Sequence, residues 1–194
     1  MRNVNALEEL ISGELGDGEK VLWAGRPTGM KLLEMPYGAA IIIRWIICLV
    51  CVIFALWYGY VFVPASEGLN VNANVIVLVV IVIALVVSLL PLLDIIKLKS
   101  KSFYYITNKR AITLVTGSAG KHKEKLFSDI SEITYESIAE NRGDIFIGEK
   151  LKNSSKKARV YVLTPPNDED NVKPLVFHSV VNPEEIVGLF PPLA

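Results

Sequence analysis

Residues 75–93 of this chain read VIVLVVIVIALVVSLLPLL, interrupted only by one serine and one proline. A second apolar stretch, residues 41–63, reads IIIRWIICLVCVIFALWYGYVFV and contains a single charge, Arg44. At 1.5 Å per residue, residues 75–93 form about 28 Å of helix, close to the hydrocarbon thickness of a bilayer. A soluble core helix of this length would keep a polar stripe, which this stretch lacks. The sequence therefore predicts a membrane protein with two transmembrane helices, at residues 40–63 and 75–93.

The composition supports this segregation of apolar and charged residues. The chain has 194 residues, 52% of them hydrophobic, and its 20 basic residues balance 20 acidic ones. These values exclude a disordered chain, a collagen-like repeat and a disulfide-stabilised secreted miniprotein. Both cysteines, Cys48 and Cys51, fall in the first apolar stretch three residues apart. A redox or metal pair would use that spacing, but we interpret them as small helix-packing residues.

Lysine and arginine counts around the two stretches predict the orientation. The connecting loop, residues 64–74, contains neither residue, whereas Lys97, Lys99 and Lys101 follow the second stretch closely. The positive-inside rule then puts the loop outside and both termini in the cytoplasm of a multi-pass protein of the cytoplasmic membrane. We therefore divide the chain into a cytoplasmic N-terminal segment, a transmembrane hairpin and a cytoplasmic domain, at residues 1–37, 38–96 and 97–194.

The last part of the chain has the rhythm of an all-β domain. Short runs of β-branched and aromatic residues alternate with turn residues about every ten positions. Asn182, Pro183 and two following glutamates then predict a short C-terminal helix. We predict a β-sandwich or barrel of about seven strands, at Phe103–Thr107, Ala111–Thr116, Lys121–Phe127, Ile130–Ile138, Asp144–Gly148, Arg159–Leu163 and Leu175–His178.

The N-terminal segment carries two further patterns. Apolar residues at helical spacing predict an amphipathic helix that docks on the β domain or on a partner, or else lies on the bilayer surface. A strand-like stretch, GEKVLWAGRP at residues 18–27, follows it, and we expect Trp23 to dock against the sheet. The apolar residues of the predicted helix are Val4, Leu7, Leu10, Ile11 and Leu15.

Four stretches together resemble a known family, the bacterial pleckstrin-homology-like domains in their membrane-anchored form. Residues 104–112 (YYITNKRAI) are similar to its opening strand, turn and second strand, and residues 143–147 (GDIFI) to its central sheet. Residues 177–186 (FHSVVNPEEI) look like its last strand and closing helix, and residues 18–27 like the segment that precedes a membrane hairpin. The resemblance covers about half of the chain.

The resemblance implies a fold of two packed, nearly orthogonal sheets with a helix covering one end. It implies no enzymatic activity, since function depends on sites added to a fold, and it makes self-association through sheet edges an expectation. Eukaryotic relatives hold phosphoinositides with basic residues around the first hairpin. Lys109 and Arg110 fall in that turn here, but the full basic pattern is absent, so we do not predict a phosphoinositide site in this chain.

Charge is unevenly distributed along the β domain. Residues 97–160 contain 14 lysines and arginines against 7 acidic residues, whereas residues 161–194 contain 1 against 5. Anionic lipid attracts such residues, so we hypothesise a membrane-facing basic surface; a solvated lysine-rich face is the alternative. Nucleic-acid binding is disfavoured by the zero net charge and the lack of a motif. The hypothesised surface comprises Lys97, Lys99, Lys101, Lys109, Arg110, Lys121, Lys123 and Lys125.

No catalytic constellation is recognisable in the sequence. His122 and His178 have no partner at metal-binding or triad spacing, and we interpret both as ordinary strand residues. We therefore expect no enzyme, no cofactor and no metal. We expect a membrane-anchored scaffold that binds a protein partner or a second copy of itself. The alternatives are an accessory subunit of a transporter or membrane enzyme, and a sensor of anionic lipid headgroups.

Overall fold

The structure, a computed structural model, forms two compact units. One is made by the described residues of Met1–Lys31 and Asp94–Ala194, and the other is Leu32–Leu93. The β unit and the helical unit are the names used below for the first and the second. The residues that the structure describes are 11–63, 72–117, 122–150, 152, 154–164 and 173–192.

The helical unit contains helix α1, Gly38–Trp57, which continues as one wider π-helical turn, and most of helix α2, Ala73–Lys101. The Trp45 Nε1–H donates to the carbonyl of Ser88 at 3.1 Å. Near the other end, a Cβ on Gly59 would lie 2.6 Å from Val77 Cγ2. The first contact pairs an early residue of α1 with a late residue of α2, and the second pairs the turn after α1 with the start of α2, so the two helices are antiparallel.

Both apolar stretches are helical, as predicted. Tyr37–Phe62 and Ala73–Lys101 are long and apolar enough to cross a membrane. The second helix extends beyond the predicted end at residue 93, because nothing in residues 94–101 interrupts a helix. Lys97, Lys99 and Lys101 therefore lie on this helix and not on a following loop. Most of the predicted external loop, residues 64–71, lies outside the described residues.

The first sheet of the β unit has four antiparallel strands in the order β1-β2-β3-β4. Strand β1, Val21–Gly25, comes from before α1 and pairs with β2, Ser102–Thr107, which follows α2 directly. Strand β3, Arg110–Val115, and strand β4, His122–Leu126, complete it. The Asn108–Lys109 turn between β2 and β3 falls where the sequence predicts it.

The second sheet has three antiparallel strands in the order β5-β6-β7. These are Ile133–Ala139, Arg142–Ile147 and Leu175–Val181. Helix α3, Ser154–Leu163, lies between β6 and β7 in the chain and packs on β7, and the short helix α4, Pro183–Val187, packs on β5 and β6. A 3-10 turn, Phe127–Asp129, leads from one sheet to the other.

The structure corrects the prediction of a strand at Arg159–Leu163. This segment is the second half of helix α3. Its β-branched and aromatic residues favour a strand, but Ser154, Ala158 and Val162 lie four residues apart and are all buried. That spacing places small side chains on one helical face, and burial of this face against β7 outweighs local strand propensity.

The prediction of a sandwich or barrel with a short C-terminal helix is confirmed in part, and only its barrel alternative is not found among the described residues. The described strands form two separate sheets and no closed barrel. They number seven, as predicted, but β1 belongs to this set and the segment Arg159–Leu163 does not. Helix α4, the short C-terminal helix that the sequence predicts, has five residues. Asn182 stands at its N-cap position with a left-handed φ of 50° and no side-chain capping hydrogen bond, because it terminates β7 as well as starting the helix.

Candidate functional site

The N-terminal segment is fixed to the β2–β3 turn by a buried ion pair. The Arg110 guanidinium donates to both carboxylate oxygens of Glu19, at 2.9 Å each. Only 2% of the Glu19 side chain and 17% of the Arg110 side chain are exposed. Thr107 Oγ1–H donates to the same carboxylate at 2.7 Å, and Arg110 also contacts Glu124. The bidentate geometry is the strong form of an arginine–carboxylate pair.

This arrangement changes the acid–base properties of both partners. Hydrogen bonding to Arg110 lowers the pKa of Glu19 to about 2, against the opposing effect of burial. The same bonds raise the pKa of Arg110 above its ordinary value. Glu19 therefore stays ionised in the folded protein well into acidic conditions.

Further hydrogen bonds join the same two segments. The Asn108 side chain accepts from the Lys20 amide at 2.9 Å and donates to the Gly18 carbonyl at 3.2 Å. The Lys109 ammonium donates to the Asp17 carbonyl at 2.9 Å. Two of the motifs that carry the family resemblance, residues 18–27 and residues 104–112, thus bind each other. Their polar residues hold the N-terminal segment to the sheet.

A buried polar network lies at the edge strand β7. His178 Nδ1 is 2.6 Å from Asp144 Oδ1, and the Arg159 Nε–H donates to His178 Nε2 at 3.2 Å. A guanidinium can only donate, so Nε2 is the acceptor and the ring proton is on Nδ1. Asp144, His178 and Arg159 are at most 8% exposed. The Tyr104 hydroxyl contacts the His178 backbone, and burial raises its pKa well above the ordinary value.

This network holds the connector, residues 26–31, which joins β1 to the start of the helical unit. The Thr28 amide donates to the Ser179 carbonyl at 2.9 Å, and Ser179 Oγ–H donates to the Thr28 carbonyl at 2.7 Å. Arg159 donates to the Lys31 carbonyl at 3.0 Å. Ser179 has a φ of 54°, an unusual value for a serine, and its amide donates to Asp144. The connector is thus held through its main chain, to β7 by the Ser179 carbonyl and hydroxyl and to α3 by the Arg159 side chain.

Trp23 lies among the aromatic residues of both sheets. Its ring stacks on Phe177 with centroids 5.9 Å apart, and Phe177 stacks in turn on Tyr104 at 4.9 Å. The tryptophan ring also covers Gly25, where a Cβ would come within 2.4 Å of it. A glycine two residues after the tryptophan is therefore required for this ring position.

The start of the described chain packs on the four-stranded sheet. Ile11 is fully buried in a cluster with Tyr105 and Ile112, and Leu15 packs against that cluster. The other apolar residues of the predicted amphipathic helix, Val4, Leu7 and Leu10, lie outside the described residues. The described end of this stretch contacts the β unit.

The residues of the hypothesised basic surface have different environments. Arg110 and Lys109 are bound to the N-terminal segment, as described above. Lys123 and Lys125 donate to the carbonyls of Tyr161 and Lys173, and burial lowers the pKa of Lys125. Lys97, Lys99 and Lys101 lie on α2, and Lys121 lies outside the described residues. Arg110 is thus paired with the carboxylates of Glu19 and Glu124.

The cavities in the described residues are of two kinds. A polar cleft of about 460 Å³ lies between the β5–β6 turn and α4, bordered by Tyr135, Arg142 and Glu184. In the helical unit, an apolar groove of about 630 Å³ runs between α1 and α2 and includes Cys48 and Cys51. No group of three or more metal-ligating side chains occurs in the part of the chain that the structure describes.

Sequence reasoning missed Glu19, Asp144 and Arg159 as partners in buried networks. Asp144 and Arg159 lie 34 and 19 residues from His178, so no local spacing connects them. The available signal was a polar residue inside an otherwise apolar strand, which occurs at Asp144 in the run RGDIFI and at His178 and Ser179 in the run LVFHSVV.

The comparisons with known proteins give no relative. The chain matches no family model, no curated protein and no solved structure.

Proposed function

We propose that the chain is anchored in the cytoplasmic membrane by α1 and α2. Its β unit then acts as a non-catalytic, pleckstrin-homology-like module that binds a protein partner or a second copy. The observation that carries the proposal is the pairing of β1 with β2. These neighbouring strands flank the two helices in the chain, so the chain must enter and leave the bilayer on the same side. Two crossings satisfy that condition.

The exposure of the two helices supports the membrane anchor. A buried helix of a soluble protein is also long and apolar, but here only 11% and 17% of the most apolar windows are buried. Large side chains such as Ile43, Phe54 and Leu78 are about 60% exposed. Soluble proteins rarely leave an apolar surface of this extent in contact with water. In a bilayer the same side chains contact lipid acyl chains and need no other protein surface to shield them from water.

The internal use of the conspicuous polar residues supports a non-catalytic role. Glu19 and Arg110 neutralise each other, and His178 Nε2, the nitrogen that a catalytic histidine would present to a substrate, accepts from Arg159. These groups stabilise the junction between the N-terminal segment and the sheets. A rigid module close to the bilayer increases the local concentration of anything it binds, so weak contacts suffice.

Cysteine labelling in intact cells tests the topology. In a background with Cys48 and Cys51 replaced by alanine, single cysteines replace Gly13, Glu67 or Leu189. A membrane-impermeant maleimide should label only the Glu67→Cys variant in intact spheroplasts and all three after permeabilisation. Labelling of Leu189→Cys in sealed spheroplasts would reject the proposed orientation.

Crosslinking from native membranes tests the binding role. The intact chain is compared with a variant whose α1 and α2 are replaced by an unrelated transmembrane hairpin. Capture of the same partner by both forms assigns binding to the β unit. Capture by the native hairpin alone instead supports the accessory-subunit alternative, which the apolar groove between α1 and α2 favours.

A further inference from the structure

We infer that the outer face of helix α3 is a docking surface for the headgroups of anionic lipid. This inference rests on the proposed membrane anchor and specifies which part of the β unit contacts the bilayer surface. Its residues are largely different from the basic surface that the sequence suggests, because the sequence predicts a strand where the structure has this helix.

The two faces of α3 differ sharply in chemistry. The inner face is buried and consists of small and apolar side chains, together with Arg159 in the polar network. The outer face carries Lys156 and Lys157, both exposed, and Val160, which is 57% exposed. Positions 156, 157 and 160 are neighbours on one side of a helix. Val160 lies one helical turn after both lysines, and an exposed apolar side chain beside two ammonium groups suits the boundary between headgroups and acyl chains.

The charge of the helix favours an anionic surface. Residues 154–163 contain three basic residues and no acidic one. Lys152, exposed just before the helix, adds a further positive charge on the same part of the chain. Lysine side chains place their ammonium groups among headgroups while their stems cover apolar surface. A bilayer with anionic lipid is therefore the complementary partner.

Chain connectivity keeps α3 within reach of that surface. Arg159 holds the Lys31 carbonyl at 3.0 Å, and α1 begins at Gly38. The seven residues from Lys31 to Gly38 span at most about 25 Å when fully extended. This linker sets an upper limit on the distance between Lys31 and the first residue of α1. Arg159 thus both orients α3 and ties it to the membrane-proximal part of the chain.

A fluorescent probe on α3 of the full chain tests the inference. With Cys48 and Cys51 replaced by alanine, a cysteine at Val160 carries an environment-sensitive nitrobenzoxadiazole label. The protein is reconstituted in nanodiscs of phosphatidylcholine alone or of phosphatidylcholine with phosphatidylglycerol in equal parts. We expect the emission to shift to shorter wavelength only in the anionic discs. Salt at about 1 M, where the screening length is about 3 Å, should remove the shift.

Matched variants separate the possible outcomes. Lys156→Gln with Lys157→Gln should abolish the shift, whereas Lys20→Gln with Arg26→Gln, both exposed, removes equal charge elsewhere and should preserve it. A label at Leu189 reports any general effect of the lipid and should give the same emission in both discs. Equal Val160 emission in the two lipids, with protein incorporated in both, overturns the inference while the anchor stands. Failure to incorporate into either disc overturns the anchor itself.

Discussion

At the scale of single residues, Glu19 links the stability of the β unit to pH. Its pKa falls from 4.5 to about 2 in the folded state, so the folded protein binds its proton less readily than the unfolded chain. The resulting stabilisation is fully present above pH ~4.5 and is lost as the pH falls towards 2. At about 1.4 kcal/mol per pKa unit, this change corresponds to roughly 3 kcal/mol.

The Glu19→Gln variant should therefore be less stable than the native chain at pH 7, by roughly 3 kcal/mol. The difference should shrink steadily between pH ~4.5 and ~2, because glutamine does not titrate. Hydrogen exchange of the β2 and β3 amides in detergent micelles gives the free energy of unfolding of both proteins at each pH. Glu14→Gln, which replaces an exposed carboxylate before the same strand, is the control. A stability difference between Glu19→Gln and the native protein that stays constant at all pH values would contradict the lowered pKa of Glu19.

Asp144 accepts hydrogen bonds from two buried donors, the His178 ring and the Ser179 amide. The Asp144→Ala variant leaves both donors without this acceptor and removes the group that orients the His178 ring toward Arg159. We expect a loss of about 3 kcal/mol in the free energy of unfolding and faster exchange of the Thr28 amide in the connector. Glu184→Ala, an exposed acid on α4, should change neither quantity. Unchanged Thr28 exchange in Asp144→Ala would show that the network does not hold the connector.

At the scale of elements, the β5–β6 hairpin depends on a glycine at its close approach. A Cβ on Gly143 would lie 2.4 Å from the Glu136 carbonyl oxygen and 3.0 Å from Pro183. Because the backbone cannot move aside as a flexible side chain can, Gly143→Ala should displace β6 from β5 and lower the free energy of unfolding by about 1 to 3 kcal/mol. Gly13→Ala, where no atom lies within 4 Å, is the matched control. Equal thermal unfolding of the two variants in micelles would contradict this account.

Helix α3 shows where local pattern and tertiary packing disagree. The run RVYVL has high strand propensity, and the prediction of a strand there was wrong. The helix forms because Ala158 and Val162 fit against β7 and because Arg159 finds His178. These contacts join residues far apart in the chain, so the local sequence around α3 does not predict them.

At the scale of the whole molecule, the helical unit is an insertion between two neighbouring strands. Replacing residues 32–93 with a flexible glycine–serine linker should give a β unit that folds in water, because β1 and β2 pair antiparallel without the helices. Circular dichroism measures whether this β unit is folded, and size-exclusion chromatography without detergent measures whether it stays free of aggregates. A version that also lacks residues 11–31 is the control and should aggregate, since it exposes the edge of β2 and the Phe177 ring. Aggregation of both versions would mean that the β unit needs the helices.

The sequence by itself determined the two long apolar helices and most strands, because length, apolar content and period are local properties of a chain. It also identified Trp23 and the stretches at residues 18–27 and 104–112. Only the tertiary structure decided that these stretches bind each other through Glu19 and Arg110, and that Asp144, Arg159 and His178 share one buried network. Burial and long-range hydrogen bonding set those contacts, and both depend on the folded arrangement of residues that the sequence keeps apart.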